Sequence, residues 1–258
     1  MLGLDPFLAA YGAPAMLGAV AALAAGGFAK GVVGFALPLI GLSLAGAFVP
    51  YPVAVALLIM PMLVSNLAQG LRQGIGPAVD SLRRFWLLNL VLVVMIALAA
   101  QLVVALPDRF LFGLIGVTVS AFGASQLAGW RLRFPARHRT AVEVAVGVVA
   151  GFFGGLSGIW GPPILMYLIA CDLPKLELVR AQSLSFLLGS AVLLLAHLRT
   201  GVLNPVTLPA SLWMVVPTML AMAVGYRVHD RLDQRRFRML TLVVLVVSGL
   251  NLVRRAVF

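Results

Sequence analysis

A pattern of glycine and proline residues occurs twice in this chain, at positions 124 residues apart. The copies run from Gly27 to Pro38 and from Gly151 to Pro162, and each reads G-F-x-x-G-x-x-G-x-x-x-P. Both lie inside long apolar stretches, where glycine and proline weaken a helix most. We therefore predict a helix break at the same place in each half of an internally duplicated chain. Paired breaks of this kind are typical of transporters, which bind substrate where the helices are interrupted.

The composition indicates a protein that lies within a membrane. Apolar residues make up 62% of the 258 positions and charged residues 10%, with a mean hydropathy of +1.08. A soluble domain averages about 45–50% apolar and about 25% charged residues. The net charge of +11 lies in short clusters between apolar segments, which is how orientation signals look in membrane proteins. We expect a lipid bilayer as partner and no nucleic acid.

Hydropathy predicts six full membrane spans and two interrupted regions, since a span needs about 20 mostly apolar residues. Residues 1–130 form the first predicted repeat and residues 131–258 the second, within a single membrane domain. The predicted interrupted regions are 12–48 and 142–171, and the predicted spans are 52–71, 85–106, 109–129, 177–198, 205–226 and 239–253.

The basic residues distinguish two arrangements of these segments. If each interrupted region crosses the membrane once, the two sides carry 10 and 8 basic residues. If each is a re-entrant hairpin, one side carries 14 and the other 4, and the positive-inside rule prefers this arrangement. We therefore predict an all-α polytopic membrane protein of two inverted repeats, each with three transmembrane helices and one re-entrant hairpin, and with both termini outside the cytoplasm. The 14 basic residues on one side in this arrangement lie in the segments 72–84, 131–139, 175–180 and 227–238.

The interrupted backbone is the expected substrate site. Irregular backbone at membrane depth persists only where it is buried in protein or lines water. Pro38 and Pro162 suit the start of a new half-helix, whose free N–H groups and partial positive charge favour an anion. We predict that the two half-helices meet near the midplane at a water-reachable pocket. In the alternative interpretation, the glycines only permit close helix packing.

Side chains near the breaks extend the candidate site. Lys30 is the only basic residue inside an apolar region, and a charge there is costly and usually functional. Alternatively, Lys30 snorkels to a surface. Polar groups in the flanking spans line a pathway or hydrogen-bond between helices, and both interpretations stay open. Trp160 is a packing residue or a gate, and Arg180 is interpreted as a surface anchor. The predicted substrate-binding residues are Lys30, Gly31, Gly34, Asn66, Gly155, Ser157, Gly158, Trp160, Gln182 and Ser183.

The positions of the acidic residues and the absence of enzyme motifs in the sequence narrow the range of possible functions. All eight acidic residues lie at or near predicted span ends, whereas cation and proton transporters usually keep a carboxylate within the membrane. The single Cys171 excludes a multi-cysteine metal site, and the three histidines lie scattered near predicted surfaces. There is no nucleophile elbow, HExxH motif or P-loop. We expect no enzyme activity, no metal and no cofactor.

The paired blocks resemble those of the sulfite exporter TauE/SafE family of membrane proteins. Residues 151–165 match best, and the segment R-A-Q-S-L-S that begins at Arg180 is also similar. The resemblance implies transport of sulfur-containing anions, such as sulfite, sulfoacetate or other organosulfonates, across a bacterial inner membrane. The family often shows three consecutive glycines in each block, whereas larger side chains such as Phe35 and Trp160 stand here. The resemblance therefore indicates the family more strongly than the substrate.

The leading prediction is a secondary transporter or facilitator of a small sulfur-containing anion, with an ion channel as a variant. The alternatives are a membrane-embedded enzyme and an assembly factor without transport activity. Direction, coupling ion and assembly into a homo-oligomer stay open at this point.

Overall fold

The computed structural model describes residues 4–102, 106–128 and 136–257, and the regular structure in these ranges is helical. Two short 3-10 helices, Ala100–Leu102 and Ala136–His138, accompany the α-helices. The α-helices are α1 (Asp5–Val33), α2 (Leu37–Ala45), α3 (Tyr51–Gly70), α4 (Ile75–Arg84), α5 (Trp86–Ala99), α6 (Asp108–Leu127), α7 (Arg139–Ser157), α8 (Gly161–Ala170), α9 (Lys175–Arg199), α10 (Thr207–Arg231) and α11 (Gln234–Val257).

Five described helices are long and apolar enough to cross a membrane, namely α1, α3, α7, α9 and α10. A sixth span results if α4 and α5, which meet at an angle of 79°, are taken together. The chain is thus a multi-pass membrane protein. The predicted spans 85–106 and 109–129 lie partly outside the described residues, as do several side chains of α6 and α11.

Both helix breaks predicted from the sequence are confirmed. Helix α1 ends at Val33, and Gly34 adopts a left-handed φ of 94° while its N–H donates to the Lys30 carbonyl oxygen at 2.7 Å. Helix α7 ends at Ser157. Gly158 adopts a left-handed φ of 72°, and its N–H donates to the Gly154 carbonyl oxygen at 2.7 Å. Glycine suits this position because it has no Cβ to clash in the left-handed region.

A new helix starts three residues after each of these glycines. Helix α2 begins at Leu37 and α8 begins at Gly161, and each has a proline in its first turn. The missing proline N–H has no helical acceptor at that position, so the ring fits without loss of a hydrogen bond. Helix α2 then returns alongside α1, since Gly26 faces Gly41 and Gly18 faces the Phe48 ring.

The helices of one half pack mainly against helices of the other half. The 124-residue offset relates α1 to α7 and α3 to α9, and the remaining spans correspond as α5 to α10 and α6 to α11. In the structure, α1 packs against α10 and its counterpart α7 packs against α5. Helix α3 packs against α9, and α6 packs against α11. Exchanging the two halves therefore leaves the pattern of helix pairs unchanged.

Basic segments from both halves lie on one face of the molecule. The Arg72 guanidinium pairs with Asp230 at 3.0 Å, and the Arg84 guanidinium pairs with Glu177 at 2.5 Å. Arg139 also donates from Nη2 to the Arg84 carbonyl oxygen at 3.0 Å. We call this surface the basic face; it comprises the segments 72–84, 175–180, 227–238 and the described part of 131–139.

The basic face favours one of the two predicted arrangements of the interrupted regions. If each region crossed the membrane once, the segments 72–84 and 227–238 would lie on opposite sides. The ion pair between Arg72 and Asp230 joins them directly. The described basic residues thus lie together as the re-entrant arrangement predicts. The inverted repeats and the orientation of this face toward the cytoplasm stay predictions.

Candidate anion-binding site

Lys30 lies in the last turn of α1, immediately before the first break, and is only 1% exposed. Its Nζ donates a hydrogen bond to Oδ1 of Asn66 on α3 and lies 5.9 Å from the ring centroid of Phe186. Among the described residues, no carboxylate forms an ion pair with Lys30. A buried ammonium with only neutral partners is costly, and this cost falls when an anion binds beside it.

Asn66 connects Lys30 to the second half of the chain. Its Nδ2 donates to Ser190 Oγ at 3.1 Å, and Ser190 Oγ donates to the Phe186 carbonyl oxygen at 2.6 Å. Asn66 and Ser190 are 124 positions apart, the same offset that separates the two glycine blocks. Corresponding positions of the two halves therefore touch where α3 crosses α9.

Polar groups without a partner face the breaks. Both atoms of the buried Gln182 amide and the Trp160 Nε1 form no hydrogen bond within the described structure. The Gln182 Nε2 lies 2.5 Å from the point that a Cβ on Gly34 would occupy, so the amide packs directly on the first break. An unsatisfied buried polar group costs about 1–3 kcal/mol. A ligand with several acceptor oxygens would satisfy these donors.

Aromatic side chains fill the space between the two breaks. The Phe35 ring lies 3.0 Å from the point that a Cβ on Gly161 would occupy, and the Trp160 and Phe186 ring centroids are 5.8 Å apart. All three aromatic side chains are 1% exposed. The two breaks thus meet, and the aromatic rings close the space between them in this conformation. The water-reachable pocket at this place stays a prediction.

Two predicted site glycines lie at helix–helix contacts. A Cβ on Gly31 would lie 2.9 Å from the Cα of Gly225 on α10. A Cβ on Gly155 would lie 2.7 Å from the Cβ of Ala99 on α5. The packing interpretation accounts for both contacts. Gly158 instead faces the Met62 side chain near the crossing of α3 and α9.

The other predicted residues also have defined places. Ser183 Oγ lies 2.9 Å from Oε1 of Gln69 and donates to the Val179 carbonyl oxygen at 2.7 Å, so it links α9 to α3. Ser157 ends α7, but its side chain lies outside the described residues. Sequence analysis missed Phe186 and Ser190, and it named Phe35 only as a larger side chain at the first break. The 124-residue offset gives a usable signal for Ser190, which is the counterpart of Asn66.

A comparison with protein-family models matches residues 18–252 to the model described as Sulfite exporter TauE/SafE. The chain belongs to the sulfite exporter TauE/SafE family. The match covers nearly the whole chain and includes both glycine blocks. Membership supports exporter-type membrane transport of an anion, in agreement with the resemblance seen in the sequence. Comparison with curated proteins and with solved structures gave no significant match.

In this TauE/SafE member, the described residues contain no group of three His, Cys, Asp or Glu side chains that could hold a metal ion. Glu143 lies near the start of α7, as predicted, but its carboxylate is buried. It accepts hydrogen bonds from Tyr167 Oη at 2.6 Å and Arg139 Nε at 2.9 Å. Burial raises the pKa of the Cys171 thiol, which disfavours the reactive thiolate form.

Proposed function

We propose that this chain is a secondary transporter or facilitator of a small sulfur-containing anion, sulfite or an organosulfonate. The observation that carries the proposal is the buried Lys30, whose hydrogen-bond partner is the neutral Asn66 and which lies beside a helix break. A sulfite or sulfonate group has three oxygens that accept hydrogen bonds. It would bring the negative charge that Lys30 lacks and satisfy the donors of Gln182 and Trp160.

The short helices at the breaks support anion binding. Helix α2 has Ala36 at its N-cap and α8 has Trp160, and neither N-cap side chain accepts a hydrogen bond from the first turn. Pro38, Pro162 and Pro163 have no N–H group, and the other N–H groups of these first turns, such as that of Gly161, are available to a ligand. The helix dipole adds partial positive charge. We propose that these N–H groups and Lys30 hold the anion together.

The symmetric helix pairing supports alternating access by two inverted halves. Each half contributes one broken hairpin and packs it against the other half. A relative movement of the halves would separate Phe35 from Gly161 and open the space that the aromatic rings now close. The closed site is then one state of the transport cycle.

The direct test is a flux assay with the purified full-length chain in liposomes. Sulfite, sulfate, thiosulfate, sulfoacetate and taurine are supplied in turn, with and without a pH gradient. We expect saturable flux of sulfite or sulfoacetate without chemical conversion. If none of the five compounds crosses faster than in empty liposomes, the proposal is wrong.

Asn66→Asp tests whether the site needs an uncompensated Lys30. The introduced carboxylate keeps the size of the side chain and its contact with Lys30 but neutralises the ammonium. We expect anion flux to fall by about tenfold or more, since one charge-assisted contact contributes about 1.5–3 kcal/mol. The melting temperature should not fall, because a buried ion pair replaces a buried lone charge. Normal flux in this variant would show that Lys30 need not be free of a counter-ion.

We also propose that the basic face lies in the cytoplasm, since it gathers most of the loop arginines and lysines. Both termini would then lie outside the cytoplasm. Alkaline phosphatase fused after the last residue should be active, and green fluorescent protein at the same place should be dark. A fluorescent, phosphatase-negative pair of fusions would reverse this orientation.

A further inference from the structure

A shallow pocket opens on the basic face between the ends of α3, α9 and α10. Two guanidinium groups, from Arg72 and Arg180, line it together with the phenol of Tyr226, and no carboxylate is among its described lining residues. We call this space the basic pocket. It lies outside the closed site around Lys30 and reaches the surface of the molecule.

Arg180 provides uncompensated positive charge in the basic pocket. Its guanidinium donates to Ser81 Oγ at 2.9 Å and to Gln73 Oε1, and both partners are neutral. No ion pair with Arg180 occurs within the described part of the chain. Arg72, in contrast, pairs with Asp230 at 3.0 Å. The charge of Arg180 therefore remains available to an anion that enters the pocket.

Tyr226 adds a hydrogen-bond donor to the same pocket. Its hydroxyl is buried and has no partner among the described residues, while the Arg72 guanidinium stacks on its ring at 4.4 Å. A fixed cation and an unsatisfied hydroxyl in one cavity form a recognition site for an oxyanion. A neutral solute would leave the Arg180 guanidinium without a counter-ion.

The basic pocket borders the closed site directly. Val179 lines the pocket, and its Cγ2 lies 3.2 Å from the point that a Cβ on Gly34 would occupy. Gln69 also lines the pocket and lies within hydrogen-bond distance of Ser183 at 2.9 Å. From Arg180 to Ser190, the rise along α9 is about 15 Å. An anion in the basic pocket therefore lies next to the elements that form the site at the breaks.

The position of the first half that corresponds to Arg180 carries no charge. The 124-residue offset relates Arg180 to Ala56, which is fully buried. We propose that the basic pocket is a second anion-binding site, in which Arg180 captures the substrate from the basic face before it passes to Lys30. This inference rests on the proposed function and adds a loading site on the basic face.

The test measures whether an anion protects a cysteine placed in the basic pocket. Leu176, which lines the pocket and is 55% exposed, is replaced by cysteine in a Cys171→Ser background. The full-length protein in nanodiscs reacts with a hydrophilic maleimide in the presence of sulfoacetate or sulfate. At ten times the dissociation constant, labelling should slow by about tenfold, because about a tenth of the pockets remain empty. Taurine, a sulfonate without net charge, should protect far less.

Three variants separate the basic pocket from the closed site. Arg180→Gln should abolish protection, and Arg180→Lys should retain part of it. Arg83→Gln is the matched control, since Arg83 is an exposed arginine of the same face outside the pocket. It should leave protection unchanged. Lys30→Met should also leave protection unchanged, because the basic pocket binds the anion independently of the closed site.

The outcomes distinguish this inference from the proposed function. If protection is lost with Lys30→Met but kept with Arg180→Gln, the label reports the closed site and the inference is overturned. Normal flux without any protection also overturns the inference but leaves the proposed function intact. Protection in a chain that carries no flux would keep the anion pocket and remove the transport proposal. If the wild type shows neither protection nor flux, both the inference and the proposed function are wrong.

Discussion

Replacing Lys30 by methionine should lower the rate of sulfite or sulfoacetate flux by about 10- to 150-fold, the factor that corresponds to one lost charged hydrogen bond of about 1.5–3 kcal/mol. Methionine is similar in length but cannot hold an anion. The melting temperature in detergent should stay the same or rise, because an apolar side chain replaces a buried charge. Flux in liposomes and thermal unfolding together separate a loss of binding from a loss of folding.

Lys30→Arg is the matched control for this result. It keeps the charge and should recover part of the flux, limited by the space beside Asn66 and Phe186. Equal flux in the wild type and the methionine variant would exclude Lys30 from transport. Equal loss in the methionine and arginine variants would indicate that the shape of this residue matters more than its charge.

Gly34→Ala should lower the free energy of unfolding and reduce transport. The left-handed φ of 94° costs an alanine about 1–2 kcal/mol. The added methyl group would also lie 2.5 Å from the Gln182 amide, and overpacking of this kind costs about 1–3 kcal/mol more. Because the methyl group displaces Gln182, flux should fall even at temperatures where the protein is folded.

Two other glycines isolate the contribution of that contact. Gly201 has a φ of 76° with nothing within 4 Å of an added Cβ, so Gly201→Ala carries the backbone cost alone. Gly158 has a φ of 72°, but its added Cβ would meet the flexible end of Met62, which can move. We expect the loss of flux to decrease from Gly34→Ala to Gly158→Ala to Gly201→Ala. Equal flux in all three variants would contradict a role for the Gly34–Gln182 contact.

The breaks could be predicted from the sequence because their causes are local. A glycine that must adopt a left-handed φ and a proline in the next first turn act within a few residues, and both appear at Gly34 and Gly158. The basic face could also be predicted, since loop charge alone groups its segments. These features depend on composition and spacing, which the sequence shows directly.

The interior of the candidate site could not be predicted in the same way. The contact between Phe35 and Gly161 joins residues from opposite halves and depends on how deeply each hairpin reaches. The place of Gly31 could not be predicted for the same reason, since it depends on a contact with Gly225 on α10. The sequence indicates a surface anchor at Arg180, but it does not show that Ser81 and Gln73 hold the guanidinium at a pocket.

The pairing of α1 with α10 has a consequence for synthesis. The two helices are separated by more than 170 residues, so at about 5–20 residues per second α1 waits roughly 10–35 s for its partner. During this time the surface around Gly27 and Gly31 meets lipid or the insertion machinery. The first half therefore stays incompletely packed in the membrane during synthesis, and α1 gains its main packing partner only after α10 has been made.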